Sequence, residues 1–582
     1  MVRVIPLGGL GEFGLNAMVL EHGDERLLID AGLMFPSPLT PGIGVVVPDW
    51  TWLLEEPEKL KGVVLTHGHE DHVGALPSLL ERLQVPVYGT PFTLGVARGR
   101  VDVAGLAGDF RSVDAREEFL VGTGFRVELI RVMHSIPEAT AISVRTPDGT
   151  SLVHTGDLKL DDDPVDGLGT DLRRFEELGE EGVTCLLSDS TGAEQERPTP
   201  PEREVERTFA ELFPRAKGRL IVSMFASNVH RLKFTLELAA TLGRKVVLAG
   251  RSLQRNIDLA RELGLIDVPS HLIVPAEDAP SLPAHQVLIL ATGSQAEPRS
   301  ALVQMAMGTW LARSTPPPIP AADVEPGAPG HAHAGDPEAL IPLPTLTIQA
   351  GDTVILSARA IPGNERLVGA LIDRLLERGA TVYYGGSYPG VHVSGHGSQP
   401  HQRRIIEAVR PRHFVPIHGE LRHLHRHLQL ARETGLVPEP GLLLARDGDV
   451  LEFQNGTGRH VAQIPTGRVL KDRWGDGQLD DAAVAEREKL AELGIIVAAL
   501  VVDVAGQRIV SGPHLEGRGL SREEALFLPD VAVDARQTLE TVTRALLGDV
   551  AFVREELTRA VRRAMKQRTG KRSAVLPIVV RL

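Results

Sequence analysis

In the first half of the chain, short apolar runs repeatedly end in Gly, His or Asp: RLLIDAG, KGVVLTHGH, FRVELIRVMH, TSLVHTGD and VTCLLSDST. Runs of this length predict buried strands that deliver polar groups at their ends. Rigid strands with reactive side chains on the following loops are how an α/β scaffold builds a site. Helical patterns separate some of them, as at Ala75 to Leu83. From about Glu206 to Tyr384 the pattern becomes that of a doubly wound α/β unit. GRLIVSMF, RKVVLAG, HQVLILATG and DTVILSA read as buried strands, with helices such as Val229 to Leu242 between them. The strand-end pattern returns at GVHVSGHGSQ and HFVPIHGE, so the middle unit reads as an insertion into the first domain.

The predicted organisation is an α/β domain over 1–206 that resumes over 385–448, an inserted α/β domain over 207–384, a linker over 449–480 and a small C-terminal α/β domain over 481–582. In the last, a helix is expected at Ala482–Leu493, a strand at IIVAALVVD, helices near Ala535–Leu547 and Ala551–Lys566, and a strand at AVLPIVV. The Pro-, Ala- and Gly-rich stretch Ser314–Pro344, which carries His331 and His333, reads as an exposed loop.

Composition narrows the class. At 582 residues the chain is too long for one core, and 42% hydrophobic residues suffice for several. The single cysteine, Cys185, excludes an internal disulfide framework and thiolate-rich zinc sites, and points to a reducing compartment. No run of about 18 apolar residues suggests a membrane span, and MVRVIPLGGLGEFG lacks the pattern of a signal peptide. A cytoplasmic protein is expected. A net charge of −14 argues against a nonspecific nucleic-acid coat, but a focused basic cleft on an acidic protein still binds anions. Seven arginines and six histidines face two acids between His401 and Arg432, and nine basic residues face two acids from Arg554 to Leu582.

The densest chemistry is His67-Gly-His69-Glu-Asp71-His72. In an extended segment residues two apart point the same way, so His67 and His69 can grip one ion; after the turn, Asp71 and His72 can face a second. Imidazole and carboxylate ligands suit zinc, with manganese as an alternative. Downstream, His134 completes the first ligand set, Asp157 can bridge the two ions and His418 completes the second. Asp30 is the natural carboxylate to orient a ligand histidine. Two ions about 3.5–4 Å apart hold a bridging hydroxide and stabilise an in-line phosphoryl displacement; the same scaffold also hydrolyses lactams or thioesters, so the motif alone leaves the substrate open.

The HxHxDH loop with Asp30, His134 and Asp157 resembles the metallo-β-lactamase superfamily. Asp189-Ser190-Thr191, His392-Val-Ser394-Gly-His396 and Pro416-Ile-His418-Gly-Glu, together with the insertion, resemble the β-CASP nucleases within it. PLGGLGEFGLN, TGDLKLDDDPVDG, SMFASNVHRL, LATGSQAEP, AIPGNE, VHVSGHGSQ, VPIHGELRHL and the terminal VLPIVV narrow the resemblance, over nearly the whole chain, to the ribonuclease J family.

The resemblance implies a metallo-β-lactamase αββα sandwich with an inserted β-CASP domain and a small C-terminal α/β domain. It implies a metal-dependent ribonuclease of RNA processing and decay: a 5′-to-3′ exonuclease preferring a 5′-monophosphate, with endonuclease activity. Two divalent ions per subunit are expected, zinc first, with manganese or magnesium as alternatives for activity. The expected partners are single-stranded RNA, a homodimeric or homotetrameric assembly to which the C-terminal domain contributes, and an RNA-degradation complex. In this reading Asp71 orients or deprotonates the attacking water, and His396, oriented by Asp189, meets the scissile phosphate or acts as general acid. Ser394 and His392 hold a nearby phosphate or shape their loop. Ser227 and Asn228, at a helix start, suit a phosphate pocket, although helix capping explains them equally well on sequence alone. The basic stretch beside His418 is expected to line the RNA path. A β-CASP endonuclease of RNA 3′ ends, a DNA-repair nuclease, a lactamase or thioesterase and a noncatalytic RNA-binding scaffold are the alternatives.

Overall fold

The computed structural model describes residues 1–36, 42–269, 271–310, 345–361, 363–472, 477–541 and 544–582. The Ser314–Pro344 stretch, with His331 and His333, lies outside the described residues, as do 473–476 of the expected linker. The chain forms two compact units, Met1–Phe35 with Val46–Val469, and Pro36–Val45 with Leu470–Leu582.

The first unit holds two large sheets. One runs in the order Thr457–Gln463, Asp449–Gln454, Val2–Gly8, Ala17–His22, Glu25–Ile29, Leu60–Val64, Pro86–Gly89 and Asp109–Ser112. The other runs His413–Ile417, Cys185–Asp189, Ser151–His154, Thr140–Arg145, Phe125–Arg131 and Glu118–Val121. Their facing sides share one core, with Val4, Leu20, Leu27 and Ile29 against Val127, Leu129, Leu152, Leu187 and Val415. The sequence neighbours Ile130, Val153, Leu186 and Phe414 point the other way, into a second core with Phe175, Ile405 and Ile406 of the covering helices. Burial on both faces is why these strands read as unbroken apolar runs.

The inserted sheet is wholly parallel, in the order Lys245–Ala249, Val287–Ala291, Leu220–Ser223, Thr353–Leu356 and Thr381–Tyr384. Val222, Leu290 and Ile355 face the core shared with the first domain, whereas Ile221, Ile289 and Val354 face the helices Ala301–Met307 and Glu365–Glu377.

The expected linker over 449–480 needs correction. Residues Asp449–Gln454 and Thr457–Gln463 are strands of the eight-stranded sheet, the first pairing directly with Val2–Gly8. Asn455 and Gly456 both have positive φ, 52° and 77°, as a tight hairpin turn demands. The outer strand is almost wholly exposed, so it carries no apolar signal.

In the second unit Ile495–Asp503 lies between Arg508–Arg518 and Ala574–Arg581. It packs Ile496, Ala498, Leu500 and Val502 on the helices Leu528–Glu540 and Val550–Thr569. The helix expected near Ala535–Leu547 starts earlier, where Pro529 sits in its first turn. Among the described residues, no helix is long and apolar enough to cross a membrane.

Candidate active site

Strands Phe125–Arg131, Ser151–His154, Cys185–Asp189 and His413–Ile417 all run in one direction, so their C-terminal ends share one edge. His134, Asp157, Asp189 and His418 are delivered there. From the facing sheet the parallel neighbours Glu25–Ile29 and Leu60–Val64 bring Asp30 and the His67–His72 loop. Asp30 and His418 hold left-handed backbone, φ 62° and 55°, which is uncommon for residues with a Cβ and is stored where function over-determines it.

Three clusters of ligand-type groups result among the described residues; the third is Asp157, Asp189, His396 and His418, and the first two are the expected ligand sets. His67, His69, His134 and Asp157 present donor atoms mutually within 4.8 Å, and so do Asp71, His72, Asp157 and His418. In the first, His69 Nδ1 lies 3.1 Å from both His67 Nε2 and His134 Nε2. Asp157 Oδ2 is 3.6 Å from His67 Nε2 and 3.8 Å from His134 Nε2. In the second, the same Oδ2 is 3.3 Å from His72 Nε2 and 3.6 Å from His418 Nε2, while His418 Nε2 is 3.3 Å from Asp71 Oδ2. One carboxylate oxygen therefore belongs to both sets.

The distal nitrogens are held from behind. His72 Nδ1 donates to Asp30 Oδ2 at 2.8 Å, and Asp30 accepts from the Thr66 amide at 2.7 Å and its hydroxyl at 2.8 Å. His134 Nδ1 donates to the Gly395 carbonyl at 2.8 Å, which leaves Nε2 facing inward. His418 Nδ1 is 2.7 Å from Thr191 Oγ1. His69 Nε2 meets Ser227 Oγ of the inserted domain at 3.1 Å. Such outer contacts fix ring orientation and tautomer.

Burial and neighbouring imidazoles drive His67 and His134 well below the usual imidazole range, and burial takes His69 down to about 4. These three rings are neutral, with lone pairs free for a cation. Burial also works against charge on Asp157, but His418 and His72 outweigh it and hold its carboxyl well below the usual range. The converse holds at His418, where Asp157 and Asp189 overcome burial and push it up to about 10, and at His72, which Asp157 and Asp71 raise well above the usual range; these two rings would give up a proton on taking a cation. Among the described residues Asp157 Oδ1 is buried without a hydrogen-bond partner, so the donor set fits a cation.

His396 Nδ1 donates to Asp189 Oδ2 at 2.8 Å, and its Nε2 faces Asp157 Oδ2 at 3.9 Å. Burial opposes protonation of this ring, but Asp189 and Asp157 raise its pKa. Ser394 Oγ accepts from the His396 amide at 3.1 Å. The side chain of Asn228 is buried and caps the helix Val229–Thr241, accepting from the Arg231 amide at 3.0 Å rather than facing an open cleft. His392 Nδ1 accepts from Arg231 Nη1 at 3.0 Å. Arg231 itself is a residue that sequence patterns did not single out. It is fully buried, paired to Glu202 at 2.7 and 2.9 Å and to the Ser357 carbonyl at 2.8 Å. It ties the insert to the chain leaving the first domain, and its place in SMFASNVHRL was the available signal.

Family models match the chain in register with these parts: the metallo-beta-lactamase superfamily over 10–196, the ribonuclease J beta-CASP domain over 217–313, a Zn-dependent metallo-hydrolase RNA specificity domain over 389–438 and the ribonuclease J C-terminal domain over 482–582. Fold and site thus define a metal-dependent hydrolase of metallo-β-lactamase fold with an inserted β-CASP domain. Ribonuclease J of Thermus thermophilus is 36% identical over 587 residues, covering 100% of this chain and 95% of that one. Ribonuclease J of Synechocystis sp. is 39% identical, covering 89% and 76%, and ribonuclease J2 of Bacillus subtilis is 32% identical, covering 100% and 98%. This chain belongs to the ribonuclease J family and is a metal-dependent ribonuclease.

Proposed function

We propose that the chain processes and degrades single-stranded RNA as a 5′-to-3′ exonuclease preferring a 5′-monophosphate, with endonuclease activity besides, and that two divalent ions serve the reaction. The observation that supports the two-ion part of this reading is Asp157, common to both expected ligand sets of four and to a third cluster with Asp189, His396 and His418. Zinc suits the donors best, with manganese or magnesium as alternatives. Held there, such ions activate a water near neutral pH and neutralise charge on the scissile phosphate. His67, His69, His134 and Asp157 would hold one, and Asp71, His72, Asp157 and His418 the other, with Asp30 orienting His72.

The side chain of Asp71 is 35% exposed, the most open of the second set, which suits it to orient the attacking water and take its proton. His396, whose pKa Asp189 and Asp157 raise against burial, is placed to donate to the leaving oxygen. Ser394 and Ser227 offer hydroxyls to neighbouring phosphates, while His392 and Asn228 shape the pocket from behind. The domain assignment of 1–206 with 385–448, 207–384 and 481–582 stands as a proposal, its first domain extended through the two strands that end at Gln463. Assembly as a homodimer or homotetramer through the C-terminal domain, membership of an RNA-degradation complex and a cytoplasmic setting complete the reading.

The test is a time course on body-labelled single-stranded RNA bearing a 5′-monophosphate or 5′-triphosphate, with wild type beside an Asp71→Ala, His72→Ala variant. Mononucleotides released first from the monophosphate substrate, and absent with the variant, are expected. Internal fragments indifferent to the 5′ group would make the enzyme an endonuclease.

A further inference from the structure

The basic stretch beside His418, expected to line the RNA path, is largely neutralised. Arg403 and Arg426 pair with Glu433, Arg422 with Glu194 and Glu420, and Arg432 with Glu439. Arg404 and Arg410 line a groove together with Glu176, Glu180 and Glu407. RNA needs cations that protein carboxylates have not already claimed, so its path is to be sought among arginines without such partners.

Those occur where the first domain and the insert meet. Helix Pro91–Val103 of the first domain packs on the loop itself: Val96 lies so close that a Cβ on Gly68, between His67 and His69, would come within 3.3 Å of it. Helix Arg251–Glu262 of the insert packs on that helix, Leu259 lying against Gly95. Arg100 projects from the first helix and pairs with Glu70, the residue between ligands His69 and Asp71. Arg251 and Arg255 project from the second, one turn apart, about 6 Å along the axis. Neither has an ion pair among the described residues, and both are exposed. The nearby Asp258 accepts from Gln254 Nε2 at 2.9 Å and keeps its charge. Burial, and then the charge of Arg100, pull the Arg255 guanidinium below its usual range, with Glu70 opposing and Arg251 adding to the pull. Arg255 thus feels the charge of Arg100 and Arg251 as well as that of Glu70, and three arginines against the carboxylates of Glu70 and Asp258 leave this corner of the site with a net positive charge facing solvent. Like charges crowded in this way are relieved by an anion, and guanidinium forks fit phosphate oxygens.

We infer that Arg251 and Arg255, backed by the Arg100–Glu70 pair, form a phosphate subsite that holds the RNA backbone beside the scissile bond. The subsite is read by shape and charge, so it is indifferent to base sequence. It rests on the reading of the chain as an RNA hydrolase. It also gives the inserted domain a direct part in placing substrate against the metal loop, because both free guanidiniums come from the insert.

The test is an Arg251→Gln, Arg255→Gln variant of the full chain, loaded with manganese like the wild type. It is assayed on single-stranded RNA and on bis(p-nitrophenyl) phosphate, a diester too small to reach the subsite. The expected result is RNA binding weakened about ten-fold or more at low salt, and a plot of log affinity against log salt shallower by about 1.4, near 0.7 for each phosphate that is no longer neutralised. KM for RNA rises while hydrolysis of the small diester is unchanged. An unchanged salt slope and KM would overturn the proposal. So would an equal loss on both substrates, which would assign the arginines to support of the metal loop. Wild-type protein that hydrolyses the small diester yet leaves RNA intact would instead overturn the RNA reading itself.

Discussion

At the scale of single residues, the structure separates groups that look alike in sequence. Arg231 and Glu202 have side chains 1% and 5% exposed, so truncating one strands the other in a dry environment. Arg231→Met is expected to cost about 3–5 kcal/mol, the usual penalty for breaking a buried pair from one side, read as a lower urea midpoint. Asp447 illustrates the opposite case. Burial, and then Glu12, push its carboxyl up to about 7. A raised carboxyl pKa means that the folded state binds the proton more tightly, so the stability it contributes is present below the unfolded value and is lost as pH rises toward 7. Asp447→Asn, which can still accept from the Leu10 amide, is therefore expected to raise the melting midpoint at pH 8 and leave it unchanged at pH 4; a pH-independent shift would refute this. The ligand-type residues were legible because six residues of the His67–His72 loop carry four of them after an apolar strand. Arg231 was not, because nothing local to a helical arginine says that it points inward. Ser227, expected at a phosphate, also meets His69 Nε2, a contact between domains that sequence spacing does not encode.

At the scale of elements, the site depends on loops that cross within van der Waals distance. A Cβ at Gly32 would lie 1.6 Å from the Asp71 carbonyl oxygen, which also accepts from the Asn16 amide and side chain. Gly32→Ala must displace the helix start that carries Asp71 and His72. Metal affinity and RNA turnover are expected to fall about 10–100-fold, as when groups behind metal ligands are disturbed, with metal content per chain as the first readout. Strands buried on both faces were readable as apolar runs, and the inserted sheet's first four strands were found from theirs. The hairpin at Asn455–Gly456 was missed for a physical reason: its outer strand is exposed along nearly its whole length, so only the turn dipeptide marked it. Arg508–Arg518 was missed similarly, since its burial alternates weakly along a strand at the sheet's edge.

At the scale of the whole molecule, the sequence conveyed the insertion and the C-terminal domain, but not which surfaces meet a partner. In the C-terminal sheet Ile496, Ala498, Leu500 and Val502 are covered by helices, whereas Leu576, Ile578 and Val580 on the adjoining strand are 49%, 43% and 47% exposed. An apolar face left open to water favours association. If the chain assembles through this face, as proposed above, Ile578→Glu is expected to lower the mass in light scattering toward that of one chain while sparing hydrolysis of bis(p-nitrophenyl) phosphate; an unchanged mass would assign assembly to another surface.

The most direct measurement is a titration of metal-free protein with manganese, following bound ions per chain and RNA cleavage together, for wild type and Asp157→Asn. If one carboxylate oxygen serves both ligand sets, wild-type activity should develop only as the second equivalent binds, and the variant should lose tight binding at both positions and be inert. Full activity at one equivalent, or a variant that still binds two ions and cleaves RNA, would contradict the shared-carboxylate account.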